Sequence, residues 1–230
     1  MKKIIFIFLF FTCSSYIYAQ QIYWNCYNII VDDEVSFANA LDGFMQTESG
    51  KSMTPVSFSE IVNSGSKYSS THSLCFFSPD ASDLESNRSK LNNFEGGLLY
   101  GAWDSEVTVE SSLLGQSLIV DPSAFDLNFN VIVQIDVEDP AFYGAAFAKM
   151  KDATADLSEG VIELHEALAG QETGITHFVV GREKNMASWI DARNKLFASD
   201  AFQEFASSVR SISEVKDIHT VRLIKQYNVQ

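Results

Sequence analysis

From Ile22 to Val31 the chain reads Ile-Tyr-Trp-Asn-Cys-Tyr-Asn-Ile-Ile-Val, the aromatic and β-branched run of a strand. The period then lengthens. Asp32-Asp33-Glu34 supplies acids suited to a helix start, and Phe37, Leu41, Phe44 and Met45 recur at helical spacing up to a closing Gly50. Alternation returns at Val56–Val62 and, past a Gly/Ser loop, at Thr71–Phe77, which predicts a second and third strand. Pro79-Asp80-Ala81-Ser82 opens a helix bearing Leu84, Arg88 and Leu91. Residues 92–106, with Gly96-Gly97, are less regular, and a fourth strand is expected between Val107 and Val120.

Asp121-Pro122-Ser123 is the clearest linker, and after it the same order returns. Strands are expected at 128–137, 161–168, 175–180 and 218–226. A helix from Asp139-Pro140 carries Tyr143, Phe147 and Met150, and a second, over 186–197, carries Trp189 and Leu196. The halves overlay. At an offset of 106, Val31, Asp33, Ala40 and Glu60 match Val137, Asp139, Ala146 and Glu166. At 105, Thr71-His72 matches Thr176-His177, and Arg88, Lys90 and Leu91 match Arg193, Lys195 and Leu196. After a three-residue gain, Phe94 and Ser105-Glu106-Val107 match Phe202 and Ser213-Glu214-Val215. Matches in one order with two small gaps point to an internal duplication.

Each copy reads β-α-β-β-α-β, the ferredoxin-like pattern, an antiparallel sheet with helices on one face. The bare face must be covered. The expected fold is therefore α+β: two ferredoxin-like repeats, 20–120 and 128–230, joined by linker 121–127, their sheets packed face to face. This element order resembles the dimeric α+β-barrel superfamily, which includes antibiotic-biosynthesis-type monooxygenases and stress-responsive barrel proteins. The resemblance covers nearly the whole chain after the leader and rests on element order, so it implies fold more than activity.

The chain's start changes the picture of where it works. Met1-Lys2-Lys3, the apolar run Ile4–Phe11 and a small Ala19 read as a signal peptide over 1–19, too short to span a bilayer. A periplasmic or secreted protein is expected, with no membrane contact after cleavage. The net charge is −14; losing Lys2 and Lys3 leaves 14 basic against 30 acidic residues, or −16. So acidic a body repels nucleic acid and anionic membrane. The expected partner is a small molecule, and the expected state a monomer or weak homodimer. Cys26 and Cys75 remain after cleavage. Cys26 falls on the inter-sheet face; taking His72 onto that face too puts Cys75 under the helices, which predicts two free buried thiols.

Strand alternation also sorts the candidate chemistry. In the second half Phe129, Val131, Val133 and Ile135 face the helices, leaving Gln134 and Asp136 on the far side. Glu163 and His165 share that side, and His177 joins them if its ring points away from the helices. The first half offers Trp24, Asn28, Ser57, Ser59 and His72 at matching places. Together these outline a polar, aromatic-edged interior suited to a ligand. His72, His177 or His165 is then a candidate general base, with Asp136 or Glu163 orienting it. Trp24, Asn28, Gln134, Asp136 and Glu163 are the candidate binding residues. A metal held by His165, His177 and Glu163 is conceivable but is not the expectation, and no cofactor is expected. The competing reading is structural: a histidine kept in both copies belongs to the framework. Arg88 and Arg193, on apolar stripes, are expected to pair with Glu60 and Glu166.

The leading expectation is an exported small-molecule-binding protein. The alternatives are a cofactor-independent monooxygenase, isomerase or lyase with a histidine base, and a structural protein whose sheets pack dry.

Overall fold

The computed structural model describes residues 21–66, 68–103 and 107–229; the expected leader lies outside them. The chain runs β1 (Tyr23–Val31), α1 (Glu34–Met45), α2 (Glu48–Lys51), β2 (Val56–Asn63), β3 (His72–Ser78), α3 (Ala81–Leu91), α4 (Phe94–Trp103) and β4 (Val107–Ile119). A 3-10 turn at Pro122–Ala124 leads to β5 (Phe129–Val137), α5 (Pro140–Ala153), β6 (Val161–Ala169), β7 (His177–Glu183), α6 (Met186–Ala198), α7 (Asp200–Val209) and β8 (Ser213–Tyr227).

The strands close into one barrel in the order β1-β3-β2-β8-β5-β7-β6-β4. Every neighbouring pair is antiparallel. The expected sheets are thus hydrogen-bonded edge to edge, β2 to β8 and β4 to β6, and closure leaves no free edge.

Helix starts follow local chemistry. The Asp33 carboxylate accepts from the amides of Val35 and Ser36, Asp139 from Phe142, and Asn185 from Ser188 in a capping box. Phe37, Leu41, Phe44 and Met45 then bury against Val56, Phe58, Leu74 and Phe76 outside β2 and β3. Tyr143, Phe147 and Met150 do the same against Ile135, Val137 and Leu164. These two cores lie outside the barrel wall, between strands and helices.

Several expectations need correction. α1 ends at Met45; Gly50 sits in α2, where a Cβ would lie 2.1 Å from the Phe44 carbonyl oxygen. The "less regular" stretch is largely α4, and α7 follows α6 as a separate helix capped by Ser199. The expected Glu60–Arg88 and Glu166–Arg193 pairs do not form among the described residues. Arg88 and Arg193 are exposed. Glu60 instead pairs with Arg222 of β8, Glu166 accepts from Gln116, and Arg193 lies 4.1 Å over the Phe197 ring.

The two free thiols are also overturned: Cys26 and Cys75 form a disulfide across β1 and β3. They are opposed in the register, and opposed residues of an antiparallel pair point to one side of the sheet. Cys75 therefore faces inward with Cys26, and His72, three residues earlier, faces outward. One assumption about β3 produced both errors.

Candidate functional site

The paired Thr-His motifs turn out to be joints between strand ends. Thr71 Oγ1 accepts from the Val31 amide at 2.9 Å, and Thr176 Oγ1 from the Val137 amide at 2.8 Å. The His72 and His177 Nδ1 atoms lie 2.8 and 2.9 Å from those same hydroxyls. His72 stacks on Phe58, ring centroids 5.1 Å apart, and its Nε2 lies 3.1 Å from Glu34 at the start of α1. His177 sits opposite Ile135, a residue of the second outer core, so it too lies beneath the helices; burial lowers its pKa. Neither imidazole lines the barrel interior, contrary to the orientation expected for them.

The interior holds two joined chambers. One, about 150 Å³, is walled by residues that include Trp24, Cys26, Asn28, Ser59, Cys75, Gln134, His165, Phe178, Arg182 and His219. The second, about 190 Å³, opens toward the β2–β3 and β6–β7 loops and is lined by residues that include Ser69, Ser70, Glu110, Gln171 and Glu172. Asn28, Tyr68, Leu113, Gln134 and Phe178 border both.

One wall is a buried polar cluster. Glu163, fully buried, accepts from Arg182 Nε at 2.8 Å and from the Asp121 amide at 3.1 Å. His165 Nε2 lies 3.3 Å from the same carboxylate. Burial alone would raise the Glu163 pKa, but these donors and the Arg182 charge hold it down to about 2. An ionised carboxylate only accepts, so His165 carries its hydrogen on Nε2 and its Nδ1 accepts from Ser117 Oγ at 3.0 Å. Burial lowers the His165 pKa against the pull of Glu163 and keeps the ring neutral. Arg182 also donates to Asn130 and lies 5.0 Å over the Phe125 ring.

Two rings of the first chamber's wall each have a buried nitrogen without a hydrogen-bond partner among the described residues. The Trp24 indole meets Phe178 edge-on at 5.6 Å and lies flat where β4 has Gly115; a Cβ there would stand 2.1 Å from the indole. Its Nε1 is buried without a hydrogen-bond partner among the described residues. His219 Nδ1 is likewise unpartnered, since Asp217 at 3.6 Å is too far. The His219 ring lies 4.8 Å from that of Tyr68, and burial lowers its pKa. Tyr68, its hydroxyl 3.2 Å from Asn28 Nδ2, is pushed up to about 12 by burial and by Asp217 and Glu172.

Of the residues singled out in the sequence, Trp24, Asn28, Gln134 and His165 line the interior. Glu163 anchors the wall through His165 and Arg182. Asp136 lies apart, half-buried and 3.7 Å from Lys216 Nζ. Sequence reasoning missed His219, Arg182 and Tyr68. Starting β8 at Ser213 and continuing its alternation would have placed His219, Val221 and Leu223 on one face.

A closed antiparallel barrel wrapped by helices, with a cavity inside, is the class that fold and site define. No protein-family model matches the sequence, and no curated protein does. Solved structures do match in fold. A candidate monooxygenase from Lactobacillus acidophilus NCFM superposes with a TM-score of 0.64 at 8% identity, over 90% of this chain and 95% of that one. A mutant chlorite dismutase from Candidatus Nitrospira defluvii gives 0.55 at 11%, over 89% and 92%. A heme-binding protein from Thermus thermophilus gives 0.51 at 7%, over 89% and 91%. This chain has the dimeric α+β-barrel fold.

Proposed function

We propose that the protein is an exported carrier for a compact, one-ring ligand held inside the barrel. The observation that carries this reading is the 150 Å³ chamber itself, walled by residues that include Trp24, Phe77, Gln134, Phe178 and His219. A cavity of roughly 150 Å³ is large enough for benzene. Aromatic walls from Trp24, Phe77 and Phe178 suit such a ring.

Export draws on the leader at 1–19 and on the Cys26–Cys75 bridge, since disulfides persist in oxidising compartments. We infer two ferredoxin-like repeats, 20–120 and 128–230, joined by 121–127. The strand order (fourth, first, third, second) in β1–β4 and again in β5–β8 supports this, as do the equivalent Thr-His joints. A barrel closed within one chain offers no sheet edge to another copy, which favours a monomer or weak homodimer.

One structural relative is a heme-binding protein. The interior here does not fit so large a planar group: its space is divided between chambers of about 150 and 190 Å³, and the Cys26–Cys75 disulfide lies in the wall.

Mass spectrometry of the secreted protein for a co-purified ligand, with thermal shifts in phenol and indole, tests the carrier reading. A rise in Tm with phenol or indole is expected, smaller in Trp24→Ala, which removes an aromatic wall of the chamber; no shift with any small aromatic ligand contradicts it. A second reading, a cofactor-independent enzyme with a histidine base, draws on His219, neutral by burial and open to the chamber. On that reading His219→Ala keeps ring binding but abolishes turnover of a phenolic substrate.

A further inference from the structure

Gln134 of β5 is 8% exposed and lines both chambers, yet its carboxamide makes no hydrogen bond among the described residues. Unlike Trp24 Nε1 and His219 Nδ1, which the packing closes off, its amide atoms keep contact with open space. The alternation that puts Val133 and Ile135 under the helices turns Gln134 inward. Phe178 stands directly opposite it on β7, so an aromatic ring flanks the amide. At the equivalent place in the first half, 106 positions earlier, is Asn28, 9% exposed and also lining both chambers. Asn28 Nδ2 donates to Tyr68 and Ser111, which leaves Oδ1 without a partner, and the Tyr68 hydroxyl that accepts there keeps its own hydrogen. These groups are neutral: burial pushes Tyr68 up to about 12 and holds His165 and His219 uncharged. Arg182, the one charged side chain of the first chamber among the described residues, is matched by Glu163.

We propose that the ligand is a neutral one-ring heterocycle with a ring N–H beside a ring carbonyl, read along that edge by the Gln134 carboxamide. This rests on the carrier reading above and adds to it the hydrogen-bonding edge of the ligand. Apolar walls with a few placed polar groups are how small-molecule sites fix orientation. A carboxamide presents an acceptor and a donor side by side in one plane. A cyclic cis-amide presents the same two in complementary order, so the pair closes with two hydrogen bonds, as Asn and Gln do on an adenine edge. A ring whose donor and acceptor point apart makes only one. Asn28 Oδ1 and the Tyr68 hydroxyl offer a further acceptor and donor to substituents on the ring.

Calorimetric titration with 2-pyridone, 4-pyridone and phenol tests this. The pyridones are isomers, with N–H and carbonyl adjacent in the first and at opposite ends of the ring in the second. Phenol keeps the ring with a single hydroxyl. 2-Pyridone is expected to bind about 10-fold tighter than either. In Gln134→Met, which keeps the length of the side chain without its amide, 2-pyridone should fall to the level of phenol. Unchanged phenol binding reports that the chamber is intact. Should the variant not fold, the two pyridones decide the matter in the wild type alone. If 4-pyridone or phenol binds wild type as tightly as 2-pyridone, the edge assignment is wrong while the carrier reading stands. The same holds if Gln134→Met keeps the preference. If none of the three binds, both fall.

Discussion

The two sides of the barrel wall carry residues of different kinds. Outside, the halves agree position by position: Val31 with Val137, Phe37 with Tyr143, His72 with His177, each buried under helices. Inside they diverge. By the same offsets, Trp24 stands opposite Asn130, Cys26 opposite Ile132, Ser57 opposite Glu163, Ser59 opposite His165, Phe77 opposite Arg182 and Ser111 opposite His219. The polar cluster belongs to one half and the disulfide to the other. A repeated residue here marks framework, because both halves must close the same strand ends and bury the same helices. The residues that differ between the halves are concentrated inside the barrel.

The sharpest break in that comparison is Glu163→Ala set beside Glu60→Ala. Removing Glu163 leaves Arg182 and His165 without their acceptor in a buried wall, which costs about 3–5 kcal/mol. Glu60 pairs with a largely exposed Arg222, and its loss costs about 1 kcal/mol or less. Urea unfolding of both variants measures the difference; equal losses would dissolve the distinction between inner cluster and outer surface.

Reducing the Cys26–Cys75 bridge, 49 residues apart in sequence, is expected to cost about 4 kcal/mol by loop entropy. The comparison of melting curves with and without dithiothreitol reads this. The Cys26→Ala/Cys75→Ala variant should melt like the reduced protein in both conditions.

His72→Ala and His219→Ala should behave oppositely. The first removes a stacked, hydrogen-bonded framework ring and lowers stability by about 1–3 kcal/mol without altering ring binding. The second removes a buried ring that packs on Tyr68 but has no hydrogen-bond partner at Nδ1, costs less stability than the first and weakens binding. Loss of binding in His72→Ala with none in His219→Ala would invert the account.

Stability should also fall with acid in a set order. Burial lowers the folded pKa of His165, His177 and His219 below 6.5, so below that pH the unfolded chain binds protons that the folded chain refuses. Glu163 adds stability that is complete above its unfolded value of 4.5 and lost as pH falls toward about 2. Urea midpoints taken stepwise from pH 7.5 to 3 should decline from about 6.5 downward. A midpoint that rises on acidification would contradict the neutral histidines.

Much of this fold is legible in the sequence because short-range periodicity sets it. Phe37, Leu41, Phe44 and Met45, or Phe129, Val131 and Ile135, declare their faces within one element. The face of β3 does not: its residues are apolar or small on both sides, and its orientation is fixed by pairing Cys26 with Cys75 across 49 residues. Periodicity alone therefore puts His72 inside and misses the disulfide. The separate helix α7 did carry a local signal, Ser199 as cap with Phe202, Phe205 and Val209 behind it. Half the interior could be named in advance; Arg182 is missed only because a strand ended at 180 stops before the alternation of Phe178 and Val180 reaches it, whereas Tyr68 enters from a loop through tertiary closure.

The central claim, that the barrel interior is a ligand chamber and not a dry core, is tested most directly by filling it. Ser73 lines the 150 Å³ chamber beside the disulfide wall. Ser73→Leu should leave stability within about 1 kcal/mol of wild type and abolish the Tm shift given by indole. If the interior is instead a fully packed core, the larger side chain overpacks it, costs about 1–3 kcal/mol, and wild type shows no indole shift to lose.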